Sequence, residues 1–343
     1  MIKRINGTWL EFHHLGLPEG KYFNPMTHEF SEEQWRAKVQ EIAELKMKYI
    51  VLMETANVDH VNHYDECYYD SKYYKKTEMI KCNNPIEVLL DECDKLGIKV
   101  FVSVGFYSNW WNTYDNMTNE EAFKKAFLAM DELHEIYGHH KSFYGWYFPD
   151  ESEISYHFDE EFITYVNRYS EKVRSLNPNY KTLIAPYGTC KLSADDEYVE
   201  QLKRLDVDFV AYQDEVGVKK TTEDKTAAFY AALKKAHDKA NRSKLWADVE
   251  VFTFEGDVYK SALLPANIER LKKQLEAVSP YVEEILIFEY QGMFNKPGTI
   301  AFCGHPDSIE YYKDYKKLLD EIEKKVHIKW KKCWRLYCLL SHF

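Results

Sequence analysis

The sequence predicts an α/β fold, a single (β/α)8 TIM barrel, and three observations lead to this prediction. Short apolar segments alternate with amphipathic helical segments along most of the 343 residues, as expected for βα units around a parallel sheet. Eight such units follow one another without a break in composition. Neither a GxGxxG motif nor a Walker A motif occurs, whereas an open doubly wound sheet normally carries a glycine-rich turn after its first strand.

Each predicted strand is a short apolar run that comes before a loop and an amphipathic segment. The strands are predicted at residues 7–13, 49–54, 99–106, 144–151, 182–187, 208–213, 245–251 and 285–290. Because the active site of an α/β barrel lies at the C-terminal ends of its strands, functional residues are expected there and in the loops that follow.

The helices are predicted from periodic apolar positions between the strands. Ser31 is suited to cap the first helix, and Gly97 is a usual stop signal after the second. The helices are predicted at residues 31–45, 85–96, 119–136, 159–176, 195–205, 223–240, 265–278 and 308–326. We therefore assign residues 1–326 to the barrel and residues 327–343 to a basic, aromatic C-terminal extension without a role in the chemistry.

Composition narrows the class of partner. A net charge of -11 disfavours a nucleic-acid surface, which needs clustered Lys and Arg, and the extension is too charged for a membrane span. Aromatic residues make up 16% of the chain and could stack on sugars, although core packing is their commoner use.

The seven cysteines show no metal-ligand spacing and are expected to be reduced thiols. The chain enters a strand pattern almost at once, so we expect a cytoplasmic protein, or a secreted one if a leader is removed.

Two strand ends carry the acids that point to a chemistry. The fourth strand runs through Gly145-Trp-Tyr-Phe-Pro directly into Asp150 and Glu151. On the seventh, alternation directs Trp246, Asp248 and Glu250 into the barrel. Glycosidic bond cleavage needs two carboxyl groups across a cleft, which at about 5 Å separation give retention of configuration. Glu151 and Glu250 are the predicted catalytic pair, with Asp150 an alternative acid because both faces of strand four are apolar.

These motifs carry a resemblance to a known superfamily. The Trp146-Tyr-Phe-Pro-Asp-Glu151 and Asp248-Val-Glu250-Val-Phe252 strand ends resemble those of the retaining TIM-barrel glycoside hydrolases of the cellulase and β-galactosidase clan. More narrowly, they resemble an uncharacterised bacterial branch catalogued as a domain of unknown function. The resemblance covers about residues 5 to 326, and it implies that Glu151 is the acid/base and Glu250 the nucleophile.

The chain departs from the clan's pattern at three strand ends. Asp150 stands where an Asn commonly precedes the acid/base, Tyr290 where a Trp often ends strand eight, and Glu54 where an Arg often ends strand two. These departures concern the substrate more than the fold.

Other strand ends supply polar groups and rings that could bind sugar hydroxyls and sugar faces. The predicted substrate-binding residues are Trp9, Glu11, Glu54, Tyr107, Trp110, Tyr187, Gln213, Asp214, Asp248, Glu289 and Tyr290. Each is equally compatible with local packing.

The resulting hypothesis is a retaining glycoside hydrolase that acts on an oligo- or polysaccharide without a cofactor. A carbohydrate-binding barrel without turnover is the first alternative, and a metal-dependent hydrolase the second. A catalytic metal is not expected, because adjacent His13 and His14 point to opposite sides of a strand and the pairs His60/His63 and His139/His140 lie in a loop and near a helix end. No GxSxG nucleophile motif is present, and the sequence gives no indication of oligomeric state.

Overall fold

A computed structural model gives the architecture of the protein. It describes residues 2–59, 64–109 and 112–340, so that His60, His63 and Trp110 lie outside the described residues.

Eight parallel strands close into a barrel, as predicted. In chain order, β1 to β8 are Gly7–Leu10, Tyr49–Leu52, Lys99–Ser103, Phe143–Tyr147, Lys181–Ile184, Phe209–Gln213, Lys244–Glu250 and Ile285–Phe288. Each strand pairs with its neighbours in sequence, and β1 pairs with both β2 and β8 to close the ring. The fold is a single (β/α)8 TIM barrel.

One helix of the outer ring follows each strand. In chain order, α1 to α8 are Glu32–Glu44, Pro85–Leu96, Glu120–Tyr137, Glu160–Leu176, Asp196–Arg204, Glu223–Ala240, Ile268–Val278 and Asp307–Leu340. Ser31 caps α1 in a reciprocal capping box with Gln34, as the sequence indicates. Gly97 ends α2 in the left-handed conformation, with a φ of 69°, where a side chain would add strain.

Several predicted boundaries differ from the observed ones for a local reason. β1 ends at Leu10 rather than at residue 13, because the next backbone N–H groups bond to side chains: that of Glu11 to Gln291 and that of Phe12 to Glu54. α7 begins at Ile268 because residues 263–265 form a short strand instead. α8 continues across residue 326 to Leu340.

Two apolar layers build the core. Inside the barrel, large and small side chains from alternate positions fill the lumen: Trp9, Val51, Phe101, Tyr147, Leu183, Ala185, Ala211, Trp246 and Leu286. The intervening positions, such as Leu245, Ala247 and Val249 on β7, pack outwards against the helices. The lumen is therefore solid below the strand ends, and an open site can form only at the mouth.

Two antiparallel hairpins extend the mouth of the barrel. Ala56–Asp59 pairs with Tyr64–Cys67 after β2, and Phe252–Phe254 pairs with Leu263–Pro265 after β7. Both follow the carboxyl end of a strand and so lie on the face where α/β barrels carry their sites.

Two further properties concern the chain's surroundings. None of the helices in the described part of the chain combines the length and the apolar character needed to cross a membrane. Free thiols are observed, as expected, at Cys67, Cys82, Cys93, Cys190 and Cys303.

Candidate functional site

A cavity of about 530 Å³ opens at the carboxyl ends of the strands. Five residues singled out from the sequence line it: Glu151, Tyr187, Gln213, Asp248 and Glu250. The cavity therefore joins the ends of four strands, β4 to β7. Its size lies within the range of about 300 to 1,000 Å³ typical of small-molecule sites.

Glu151 lies at the cavity wall beside two hydrogen-bond donors. The hydroxyl of Tyr147, inside the barrel, donates to Oε1 of Glu151 at 3.3 Å, and the Gln213 side chain, whose Nε2 donates to the Ala185 carbonyl at 3.1 Å, lies close to the same carboxylate. Burial raises the pKa of Glu151 to about 7, while these two donors act in the opposite direction by stabilising the anion. The carboxyl group can thus carry a proton near neutral pH.

Glu250, the last residue of β7, is fixed through both its side chain and its backbone. Oε2 accepts a hydrogen bond of 2.8 Å from the Val218 backbone N–H. The Glu250 N–H donates to Asp214, and its carbonyl accepts from Arg270 at 2.8 Å and Gln274 at 3.0 Å. Burial and the nearby Asp214 charge raise the pKa of Glu250 to about 8. The Glu250 carboxyl group is therefore rigidly placed and costly to ionise.

Asp248 contributes a third acid on the same inward face of β7. Burial, followed by the charges of Glu250 and Glu151, raises the pKa of Asp248 well above its ordinary value. Its carboxyl group therefore lies within electrostatic reach of both glutamates. Asp248 keeps its proton to higher pH than an ordinary aspartate does, and the protonated form can donate a hydrogen bond.

Asp150, the alternative acid, does not line the cavity. Its Oδ1 accepts from Asn116 Nδ2 at 2.6 Å and its Oδ2 accepts from the Tyr165 hydroxyl at 3.0 Å, so the side chain is directed at α4 and at the short helix Thr113–Thr118. Asp150 and Glu151 therefore point in different directions. Because both faces of strand four are apolar, the sequence pattern does not predict which of the two acids faces the cavity.

Four other predicted binding residues lie in packed positions away from the cavity lining. Trp9 packs edge-on against Tyr147 in the lumen, and Tyr107 is buried in the outer core. The Tyr290 hydroxyl donates to Glu41 of α1. Asp214 binds the Gln274 side chain and the Glu250 N–H. Trp110, also predicted, lies outside the described residues.

Glu11, Glu54 and Glu289 form a buried acidic cluster beside the cavity, with His14 between the cluster and the open space. His14 Nδ1 is 2.5 Å from Glu11 Oε1, and its Nε2 is 3.8 Å from Glu19. Burial disfavours the charged imidazolium, but the two glutamates outweigh it and raise the pKa of His14 to about 10. Ligand atoms of Glu11, His14 and Glu289 all lie within 4.8 Å of one another, close enough to share an ion.

His13 faces away from His14, as the sequence predicts for neighbours on a strand. Its Nδ1 lies 2.9 Å from Nε2 of His28. A second group that could hold an ion, Glu87 with His139 and His140, lies away from the cavity at the helix end.

The sequence did not predict a binding role for several cavity residues, among them His14, Glu19, Lys220, Tyr259 and Phe288. Phe288 lies on the inward face of β8 with Leu286, but all four residues of β8 are apolar, so alternation does not distinguish its two faces. Lys220 and Tyr259 lie in loops, where no period predicts orientation. The Lys220 ammonium group sits 4.5 Å over the Tyr187 ring and 3.4 Å from Glu215.

Sequence and structure comparisons place the chain among known folds. The family model described as "Domain of unknown function (DUF4434)" matches residues 5–301. No curated protein matches the chain.

Solved structures match over almost the whole chain. A Bacteroides thetaiotaomicron protein provisionally assigned as an alpha-L-fucosidase is 18% identical, with a TM-score of 0.72 over 93% of this chain and 96% of that one. The endo-1,4-beta-D-mannanase of Thermotoga petrophila is 12% identical, with a TM-score of 0.56 over 92% and 100%. The endo-1,4-beta-mannanase of Rhizomucor miehei is 10% identical, with a TM-score of 0.55 over 93% and 95%. At these identities the likeness is one of fold, and it confirms the predicted resemblance to TIM-barrel glycoside hydrolases at that level.

Proposed function

The chain belongs to the family described as a domain of unknown function, DUF4434, and we propose that it is a retaining glycoside hydrolase with Glu151 as acid/base and Glu250 as nucleophile. One observation carries the proposal. Two glutamates at the carboxyl ends of β4 and β7 enter the same cavity, while the neighbouring Asp150 is bonded elsewhere. Two carboxyl groups facing a shared space are the minimum that glycosidic bond cleavage requires.

The reaction follows from the roles of the two acids. Glu151 transfers its proton to the glycosidic oxygen as the bond to the anomeric carbon breaks, and Glu250 forms an ester bond to that carbon. The leaving group departs as an alcohol. The Glu151 carboxylate then takes a proton from water, whose oxygen attacks the same carbon and frees Glu250. Two inversions at one carbon retain its configuration.

The environments of the glutamates suit these roles in different ways. A pKa of about 7 gives Glu151 a proton to donate near neutral pH and a carboxylate able to accept one afterwards. The Val218 N–H stabilises ionised Glu250, the form that attacks. Burial of Glu250 opposes that ionisation, which makes the anion a stronger nucleophile when it forms.

The cavity wall supports a carbohydrate substrate. The rings of Tyr187, Tyr259 and Phe288 offer faces for the apolar side of a sugar, and Gln213 and Lys220 offer hydrogen-bond donors for hydroxyl groups. An oligosaccharide, or the accessible part of a polysaccharide, is the substrate class that this mixture of rings and polar groups fits.

A carbohydrate-binding barrel without turnover is the second candidate. The observation that favours it is the raised pKa of Glu250, because a carboxylic acid that keeps its proton does not attack carbon. The two candidates bind similar ligands and differ only in chemistry.

Hydrolysis of a panel of aryl glycosides and natural oligosaccharides separates the two candidates. We expect the wild type to cleave one sugar class with retained configuration in the first product, as followed by NMR, and Glu151→Gln and Glu250→Gln to abolish cleavage. Asp150→Asn is the matched control, since it changes the adjacent acid outside the cavity, and it should stay active.

Each alternative outcome has a distinct meaning. Inverted product, or full activity in either glutamine variant, contradicts the proposed roles. Binding of sugars without cleavage supports the binding barrel.

A further inference from the structure

Three carboxyl groups meet beside the cavity with few hydrogen-bond donors to satisfy them. Glu11, Glu54 and Glu289 are 3%, 1% and 0% exposed. They follow β1, β2 and β8, strands that adjoin one another in the barrel. Burial, together with the charge of Glu11, raises the pKa of both Glu54 and Glu289 well above the ordinary value, so the three groups sense one another.

The hydrogen-bond partners of these three carboxyl groups are unevenly distributed. Oε1 of Glu54 accepts from the backbone N–H groups of Phe12 and His13, and Glu11 contacts His14. Neither oxygen of Glu289 has a hydrogen-bond donor among the described residues, and Oε2 of Glu54 has none either. A buried carboxyl group without a partner costs several kcal/mol or more unless a cation or a proton compensates it.

The arrangement of Glu289 with its neighbours is suited to a cation. One nitrogen of His14 and one oxygen each of Glu11 and Glu289 lie mutually within 4.8 Å, so a single ion that displaces the imidazolium proton of His14 could contact all three. One imidazole and two carboxylates form a mixed nitrogen and oxygen donor set, which favours Mn²⁺ or Zn²⁺ over Mg²⁺ and Ca²⁺, ions that prefer oxygen alone.

We propose that Glu11, His14 and Glu289 bind one divalent transition-metal ion at the wall of the cavity. Glu289 distinguishes this cluster from a simple group of acids, because its carboxyl group is fully buried and receives no hydrogen bond within the described part of the chain. Glu19, close to the far nitrogen of His14, orients the imidazole as an outer carboxylate does around metal-bound histidines.

The inference goes beyond the proposed hydrolase and does not depend on it. Neither Glu151 nor Glu250 is a ligand. His14 lines the cavity, so the ion's remaining positions are filled by water or by hydroxyl groups of a bound sugar. The site adds a binding element on the β1–β8 side of the mouth, next to β7 with Glu250 and across the barrel from β4 with Glu151.

Manganese titration of the full chain tests the site, using electron paramagnetic resonance because bound Mn²⁺ loses the sharp signal of the free ion. After removal of metal with EDTA and desalting, we expect one Mn²⁺ per wild-type chain. Glu289→Gln should weaken binding at least about tenfold, because loss of an inner ligand costs at least as much as loss of an outer one. Zn²⁺ should displace the Mn²⁺, whereas equal Mg²⁺ should not.

His139→Ala is the matched control, because it removes a ligand from the second carboxylate–histidine group and should leave binding unchanged. If circular dichroism shows that Glu289→Gln does not fold, His14→Gln at the cavity wall replaces it in the same titration. The proposal is overturned if the wild type binds no Mn²⁺ at millimolar concentration, if the ligand variants bind like the wild type, or if His139→Ala removes binding. In those cases a proton shared between Glu11 and Glu289 accounts for the cluster. No outcome of this titration depends on whether the protein hydrolyses sugars.

Discussion

The backbone N–H of Val218 donates a hydrogen bond of 2.8 Å to Oε2 of Glu250. This bond comes from the loop after β6, while Glu250 ends β7, so the position of the proposed nucleophile depends on how closely the loop approaches. Gly217 makes the approach possible, since a Cβ atom there would lie 2.9 Å from both Cβ and Oε2 of Glu250. Real Cβ contacts of that length essentially do not occur.

Gly217→Ala should therefore impair the reaction more than the fold. The added methyl group must displace the loop or the Glu250 side chain, and misplacement of a reacting group by about 1 Å can cost about 100-fold in rate. We expect kcat/KM to fall by about 10- to 100-fold with a small change in melting temperature. Gly256→Ala is the control, because its Cβ would meet Ser261 at an ordinary 3.5 Å. Equal activity of the two variants would contradict the importance of this contact.

The rate of hydrolysis should peak near neutral pH. Attack needs ionised Glu250, so activity rises with pH towards its pKa of about 8, while protonation of the leaving group needs neutral Glu151, so activity falls as pH rises through about 7. The two requirements overlap best between these values, and kcat/KM should follow a bell-shaped profile. Its measurement from pH 5 to 10 checks this. An optimum at pH 4 to 5 would indicate carboxyl groups with ordinary pKa values and would contradict the burial argument.

Tyr147→Phe should change the pKa of Glu151. The Tyr147 hydroxyl donates to Glu151 Oε1 and thereby stabilises the anion, so its removal raises the pKa of Glu151. In a profile of kcat/KM against pH, the limb that depends on Glu151 should move to higher pH by less than about one unit. Tyr165→Phe is the matched control because its hydroxyl bonds Asp150 instead. A shift of the same size in both variants would point to a general effect of tyrosine loss.

Glu151→Gln should stabilise the protein, and more so at high pH. The pKa of Glu151 is about 7 in the folded chain, above its ordinary 4.5, so the unfolded chain ionises first as pH rises. The contribution of protonated Glu151 to the free energy of unfolding is therefore fully present below about pH 4.5, and it is lost as pH rises through about 7. The upper limit of that loss is about 3.5 kcal/mol, at about 1.4 kcal/mol per pKa unit.

Melting temperatures of the wild type and Glu151→Gln at pH 5 and pH 8 test the prediction. The variant should gain more over the wild type at pH 8, where the carboxylate it replaces would be charged. A difference between the two proteins that is the same at both pH values would show that Glu151 is not desolvated in the folded state.

The sequence by itself determined the barrel, its strand order and the catalytic candidates on β7. These properties depend on local patterns. Alternation along Leu245 to Glu250 distinguishes inward from outward positions because successive side chains of a strand point to opposite faces. The Ser31 cap and the Gly97 stop are equally local, since each concerns backbone groups within one turn of a helix.

Only the tertiary structure decided which groups meet. On β4 both faces are apolar, so the orientation of Asp150 and Glu151 depended on the contacts that Asn116 and Tyr165 offer to Asp150. The cluster of Glu11, His14 and Glu289 arises because closure of the barrel pairs β1 with β8, whose residues are far apart in sequence. A local pattern fixes the direction of a side chain relative to its own strand, whereas proximity across the barrel follows from closure and from loop packing, which no repeat in the sequence encodes.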